Sequence, residues 1–199
     1  MINKTKDNIF LIKSANNRAQ NILDFWFKET SFESKFKKDD NFDKLIKENF
    51  LKDFEYARSD KYDDWQDEPQ SCLALIIILD QFSRNLYRNS EKAYEQDIKS
   101  RLVLNEAVYA GFIEKIDLDQ RLFMLLPLIH SEEIIDHERA YMLLNLYMVN
   151  HSKIELIKKF WVEHTNVIKK FNRYPHRNKI LKRESTNEEI KFLKKKYSW

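Results

Sequence analysis

Along almost the whole chain, apolar residues recur every three or four positions, with neither tight-hairpin dipeptides nor sustained apolar–polar alternation. That period is helical, and it predicts an all-α protein of about eight helices. The first covers Asn17 to Phe27, with Ile22, Phe25 and Trp26 on one face. A second starts at Asp39 or Asp40, whose carboxylate caps free backbone amides, and runs through Phe42, Leu45, Ile46, Phe50 and Phe54. A third starts around Pro69 and contains Leu73 to Leu79, which is apolar all round and so marks the central, buried helix. Ser90 is the expected start of a long helix ending at Gly111, the one residue suited to a left-handed helix terminus. Asp117 with Gln120, Ser152 with Glu155, and Thr186 with Glu189 have capping-box spacing.

Ser131 is the expected cap of a helix from Glu132 to about Asn150, and another helix runs from Ser152 to about Phe171. Pro175 marks a loop, and a short last helix spans Asn187 to Lys196. Short connections favour antiparallel helix pairs. No linker, low-complexity tract or convincing internal repeat divides the 199 residues, so one domain over 1–199 is expected.

Composition excludes much of the catalytic repertoire. Gly111 is the only glycine. A Walker loop or dinucleotide fingerprint needs two or three glycines in one short turn, and a serine-hydrolase elbow needs two. No cofactor is therefore expected. The lone Cys72 lies beside Leu73, Ala74 and Leu75, which reads as a small buried hydrophobe and rules out a disulfide framework. The longest purely apolar run, Leu73 to Leu79, is far short of the roughly 20 residues that span a bilayer. Met1 to Asn17 lacks the apolar core and cleavage site of a secretory signal, so a soluble, cytoplasmic setting is expected. With 35 Lys and Arg against 32 Asp and Glu, charge is nearly balanced. Runs such as Lys35 to Lys38 and Lys194 to Lys196 read as solvated faces, and no specific nucleic-acid partner is expected.

Three segments carry candidate chemistry. In the first, directly after the buried run, Asp80, Arg84 and Arg88 lie four apart on one helix face. Asp80 before Arg84 is the favourable order for a pair, whereas Arg84 beside Arg88 is unfavourable unless something anionic lies between them. The segment is either a brace at a helix end or an anion pocket of planar guanidinium forks. In the second, Pro127 should kink or end a helix and leave His130, Ser131, Glu132 and Glu133 at a junction. His130, Glu133 and His137 approach metal-ligand spacing, but the break at Ser131 spoils the register and no HExxH motif exists, so no metal site is expected. The third holds Arg173, Tyr174, Pro175, His176, Arg177 and Asn178, followed by Arg183. There His176 is either a general acid or base, or a pin holding the C-terminal helix.

The strings LDQFSRNLYRN, LLPLIHSEE and RYPHRNKILKREST, with ILDFWF at Ile22 to Phe27 and Trp65, closely resemble the bacterial domain-of-unknown-function family 924. The resemblance covers about residues 22–193. It implies a fold similar to tetratricopeptide-type helical arrays, an α-α superhelix, and no established activity. It points to Asp80, Gln81, Arg84, Asn85, Tyr87, Arg88, His130, Ser131, Glu132, Pro175, His176, Arg177, Asn178 and Arg183 as motif positions. This chain departs from the usual pattern at Ser83 and Asn89, where DQFPRN and YRG are usual, and at Lys182, where glycine usually precedes the arginine. His137 stands where glutamine is expected.

Three readings follow. The leading one is a binding protein whose groove, lined by Trp26, Trp65, Arg84, Arg88 and His176, grips a small anionic molecule or a protein or peptide partner. The second is an enzyme on a small anionic substrate, with Asp80 or His176 as acid or base and Arg84, Arg88 and Arg177 binding charge. It requires His130 and His176 to reach a shared cavity. In the third, the motif residues form one buried polar network tying the central helix to the C-terminal loop.

Overall fold

A computed structural model of the chain describes residues 17–194. The readings made on residues 1–16, and on the last two lysines of the Lys194 to Lys196 run, lie outside the described residues. All regular structure within them is helical, and each of the eight predicted helices has a counterpart.

Helix α1, residues 17–24, widens into a π turn at Phe25–Glu29 that buries Phe25 and Trp26. A short α2, Phe32–Phe36, follows under the Ser31 cap. Helix α3, Asp40–Arg58, starts where expected, because the Asp39 carboxylate accepts from the backbone N–H of Asn41 and Phe42 at 2.9 and 3.2 Å. Helix α4, Pro69–Ile77, opens on a proline that needs no donor there. It passes into a second π turn, Ile78–Phe82, and then into α5, Ser83–Leu86. Leu73 to Leu79 are fully buried, so α4 is the central helix its sequence predicts. Helices α6, Asp97–Tyr109, and α7, Leu118–Ile129, pack against it. Then α8, Ile134–Tyr147, packs on α7, α9, Ile154–Phe171, packs on α8, and α10, Asn187–Leu193, closes the described chain. The capping boxes of Asp117 with Gln120 and Thr186 with Glu189 both form.

Several local expectations give way to tertiary contacts. Ser90 caps only a three-residue turn, Glu91–Ala93, and the chain breaks at Tyr94 to Gln96 before α6 begins. The break places the Asp97 carboxylate in the first turn of α6, where the helix dipole favours it. Ser152 does not cap α9, which starts after Lys153 with no side-chain cap, and His151 Nδ1 accepts the Lys153 N–H at 3.0 Å. Ser131 accepts from Glu133 N at 3.1 Å, and α8 starts only at Ile134. Pro127 lies inside α7, which continues to Ile129. Near a helix end, the one backbone bond a proline forfeits interrupts little.

The backbone explains two departures from the family pattern. Gly111 adopts φ 69°, as a helix terminator should, but Asn89 and Lys182 also have positive φ, 64° and 55°. Both stand where the pattern has glycine. Asparagine tolerates this region well, whereas lysine carries the full Cβ clash. Lys182→Gly is expected to raise stability by about 0.5–1 kcal/mol, the strain relieved less the extra chain entropy of glycine. The check is a thermal midpoint roughly 1–4 °C higher. An unchanged or lower midpoint would show that residue 182 is unstrained.

Candidate functional site

The site grows from the π turn after α4. One extra residue in that turn interrupts the α-helical ladder just where the apolar run gives way to Asp80 and Gln81. Both are buried beside Phe82, which stays in the core against Phe25, Trp26 and Phe50. Buried carboxylates require partners. Asp80 has three: Gln81 donates from its side-chain amide, Arg84 Nη1 lies 3.2 Å from Oδ1, and His130 Nδ1 is 2.8 and 2.9 Å from the two oxygens. Burial opposes ionisation of Asp80, yet Arg84, His130 and Gln81 together hold it well below the usual carboxylate range.

An ionised Asp80 only accepts, so His130 Nδ1 carries the proton and the lone pair is on Nε2. Burial pushes His130 below its ordinary value, Asp80 pulls it back up, and Arg84 pushes down again, leaving it lowered. The imidazole is thus neutral at pH 7. An aspartate that orients a histidine through Nδ1 is the arrangement by which many enzymes prepare a general base.

The C-terminal loop completes the network. Arg177 donates from Nη2 to the His130 carbonyl at 2.9 Å and from Nη1 to Asp97 Oδ2 at 3.3 Å. Asp97 also faces Arg84, with Nη2 3.1 Å from Oδ1. The Arg177 guanidinium lies 4.5 Å from the Tyr94 ring centroid and 4.7 Å from that of Tyr174. Tyr174 in turn donates from its hydroxyl to the Ile129 carbonyl at 2.5 Å. Asp80 and Asp97 therefore balance Arg84 and Arg177, and His130 stands among them without charge.

His130, Asp97 and Arg177 line an open cleft of about 480 Å³, together with Tyr94, Arg101 and Glu132. Asp97 and Arg177 are its buried end, and exposed Glu91, Glu95 and Glu133 stand at its mouth. No hydrogen bond engages His130 Nε2 among the described residues.

The other expected site residues go elsewhere. Asn85 and Arg88 both donate to Asp43 on α3, at 2.8 Å from Asn85 and 2.6 Å from Arg88 Nη2. Since α5 ends at Leu86, Arg88 never joins Arg84 on one helix face, and the two pair with different carboxylates, Asp43 and Asp97. Arg183 grips Glu132 with two bonds of 2.6 and 2.9 Å. Buried Asn178 donates to Ser185 at 3.0 Å. His176 is exposed beside the Tyr174 ring and is not among the residues lining this cleft. Trp26 and Trp65 are 0% and 2% exposed and belong to the core, not to a groove. His137 has both ring nitrogens engaged, by Thr165 Oγ1 at 2.9 Å and the Ser131 carbonyl at 3.0 Å, which leaves none for a metal. No group of three or more metal-ligating side chains forms among the described residues.

Sequence reasoning missed Asp97, Tyr94 and Arg101. Asp97 pairs with residues 13 and 80 positions away, a relation with no local periodicity to betray it. The one available hint was an acid followed by an apolar-periodic stretch, the mark of a helix first turn.

The sequence matches a family described as bacterial protein of unknown function (DUF924) over residues 22–196. The fold is similar to that of a protein of unknown function, ATU0120, from Agrobacterium tumefaciens. The two are 33% identical, the match covers 92% of this chain and 99% of that one, and the TM-score is 0.84. No curated protein matches.

Proposed function

The chain belongs to the bacterial family of unknown function DUF924, and we propose that its cleft binds a small polar ligand and exchanges a proton with it at His130 Nε2. The observation that carries this is the Asp80–His130 pair, a buried carboxylate fixing the tautomer of an imidazole that lines an open cleft. The ligand offers an O–H or N–H donor to Nε2, which accepts its hydrogen bond and is placed to take the proton as that oxygen or nitrogen forms a new bond.

The charge layout narrows the ligand. Arg84, Arg88, Arg177 and Arg183 each face a carboxylate of the chain, so the motif arginines do not add up to an open anion pocket. At the mouth, Glu95 and Glu133 have no ion-pair partner among the described residues. A ligand with a neutral reacting end and a cationic or donor-rich outer end fits this better than a simple anion.

Thermal unfolding tests the reading with four probe sets: small amino alcohols, amines, carboxylates and phosphates. A ligand at a hundred times its dissociation constant stabilises by about 2.7 kcal/mol, which at this length is on the order of 5–10 °C. The expected result is a shift with amino alcohols that disappears in a folded His130→Ala variant. A shift confined to carboxylates or phosphates, or one indifferent to His130→Ala, would overturn it.

The network reading has support of its own. Arg84 and Arg177 join the π turn, α6, the α7–α8 junction and the C-terminal loop through Asp80, Asp97 and the His130 carbonyl. These arginines are braces, and the dyad is what they hold in place.

A further inference from the structure

Beyond the cleft, two helices carry large apolar side chains that nothing covers among the described residues. On α6, Ile98, Leu102 and Tyr109 share one face, at spacings of four and seven. On α8, Ile135, Met142 and Leu146 do the same, at spacings of seven and four. Residues that repeat this way lie within a narrow stripe of a helix surface. Arg139 and Asn105 occupy the middle of their respective stripes and hydrogen-bond to each other, and Arg101 Nε lies 3.2 Å from Asp136 Oδ2. These two polar contacts bridge α6 and α8, so the stripes lie on the same side of the molecule, on either side of a polar seam.

The six apolar residues are between 58% and 93% exposed. At roughly 200 Å² for a large side chain, they present on the order of 800 Å² of surface. A standard interface takes about 800 Å² from each partner.

We propose that this α6–α8 face is the self-association surface of the protein, buried against the same face of a second copy in a two-fold dimer. Two observations choose a second copy over a foreign partner. The area is what one side of a stable dimer requires. The charges on the face are also self-complementary: Arg139 lies in the apolar stripe without a carboxylate partner among the described residues, while Glu106 and Glu138 flank the stripes without a basic one. Under a two-fold axis the same patch meets itself, so each copy's Arg139 is offered the other's acids. The stripes begin beside the cleft, since Ile98 follows Asp97 and Ile135 lies two residues after Glu133. A second copy on this face would stand next to the cleft mouth.

Sedimentation or size exclusion with light scattering of the full chain at about 1–100 µM decides it. The expected mass is twice the 24.3 kDa of one chain. Leu102→Glu with Leu146→Glu should return the monomer mass, with unchanged helical circular dichroism, because both side chains are already exposed within one chain. Arg139→Glu alone should weaken association at least tenfold. A wild-type chain that stays at the single-chain mass overturns the proposal, whether a foreign helix or residues 1–16 cover the face instead. A dimer unaffected by the double substitution overturns it too, since its interface then lies elsewhere.

Discussion

Asp80→Ala is expected to destabilise the chain by about 3–5 kcal/mol, because it removes one partner from a buried ion pair and strands the other. Asp80 is 1% exposed and accepts from Gln81, Arg84 and His130 at once. Its loss leaves Arg84 the backbone carbonyl of residue 80 and one carboxylate, Asp97, which Arg177 already shares. It also leaves His130 Nδ1 without its acceptor. Asp80→Asn keeps an acceptor for His130 but removes the charge, so it should fall between wild type and Asp80→Ala. Chemical denaturation measures both, and a loss below about 1 kcal/mol for Asp80→Ala would mean that the network contributes little to the fold.

Trp26→Ala is expected to cost a similar amount, about 3–5 kcal/mol, for an unrelated reason. The indole is fully buried, with its ring centroid 5.5 Å from both Phe82 and Phe123 and 6.3 Å from Phe42. Truncation removes those contacts and leaves a cavity where α1, α3, the π turn and α7 meet. The folded fraction should keep whatever affinity the cleft has, since Trp26 does not line it. This separates the core position from the groove position that the sequence suggested. A stable Trp26→Ala variant that has lost ligand binding would restore the groove.

Elements whose signals are local were legible in the sequence. Asp39 caps α3, Gly111 ends α6 in a left-handed conformation, two capping boxes form, and the Leu73 to Leu79 run is the buried centre. Where a side chain found a distant partner, the sequence was silent. Nothing near Arg88 announces Asp43, 45 residues earlier, and nothing near Arg177 announces Asp97, 80 residues earlier. The π turn at Ile78–Phe82 was equally hidden, because an apolar run reads the same whether its ladder is tight or wide. Of the motif residues, Asp80, Arg84, His130 and Arg177 converge on one network, while Asn85, Arg88 and Trp26 serve other parts of the fold. Residues that look alike as a motif had been selected for more than one job, which only the three-dimensional partners reveal.

The most direct measurement on the dyad is the ¹⁵N chemical shift of the His130 ring followed against pH. The expected result is a neutral ring at pH 7 with its proton on Nδ1 and a bare Nε2, and a midpoint below the ordinary value of 6.5. Since Asp80 favours the charged ring, Asp80→Asn should move that midpoint lower still. A ring protonated on Nε2 at pH 7, or a midpoint above 6.5, would contradict a base held ready at the cleft.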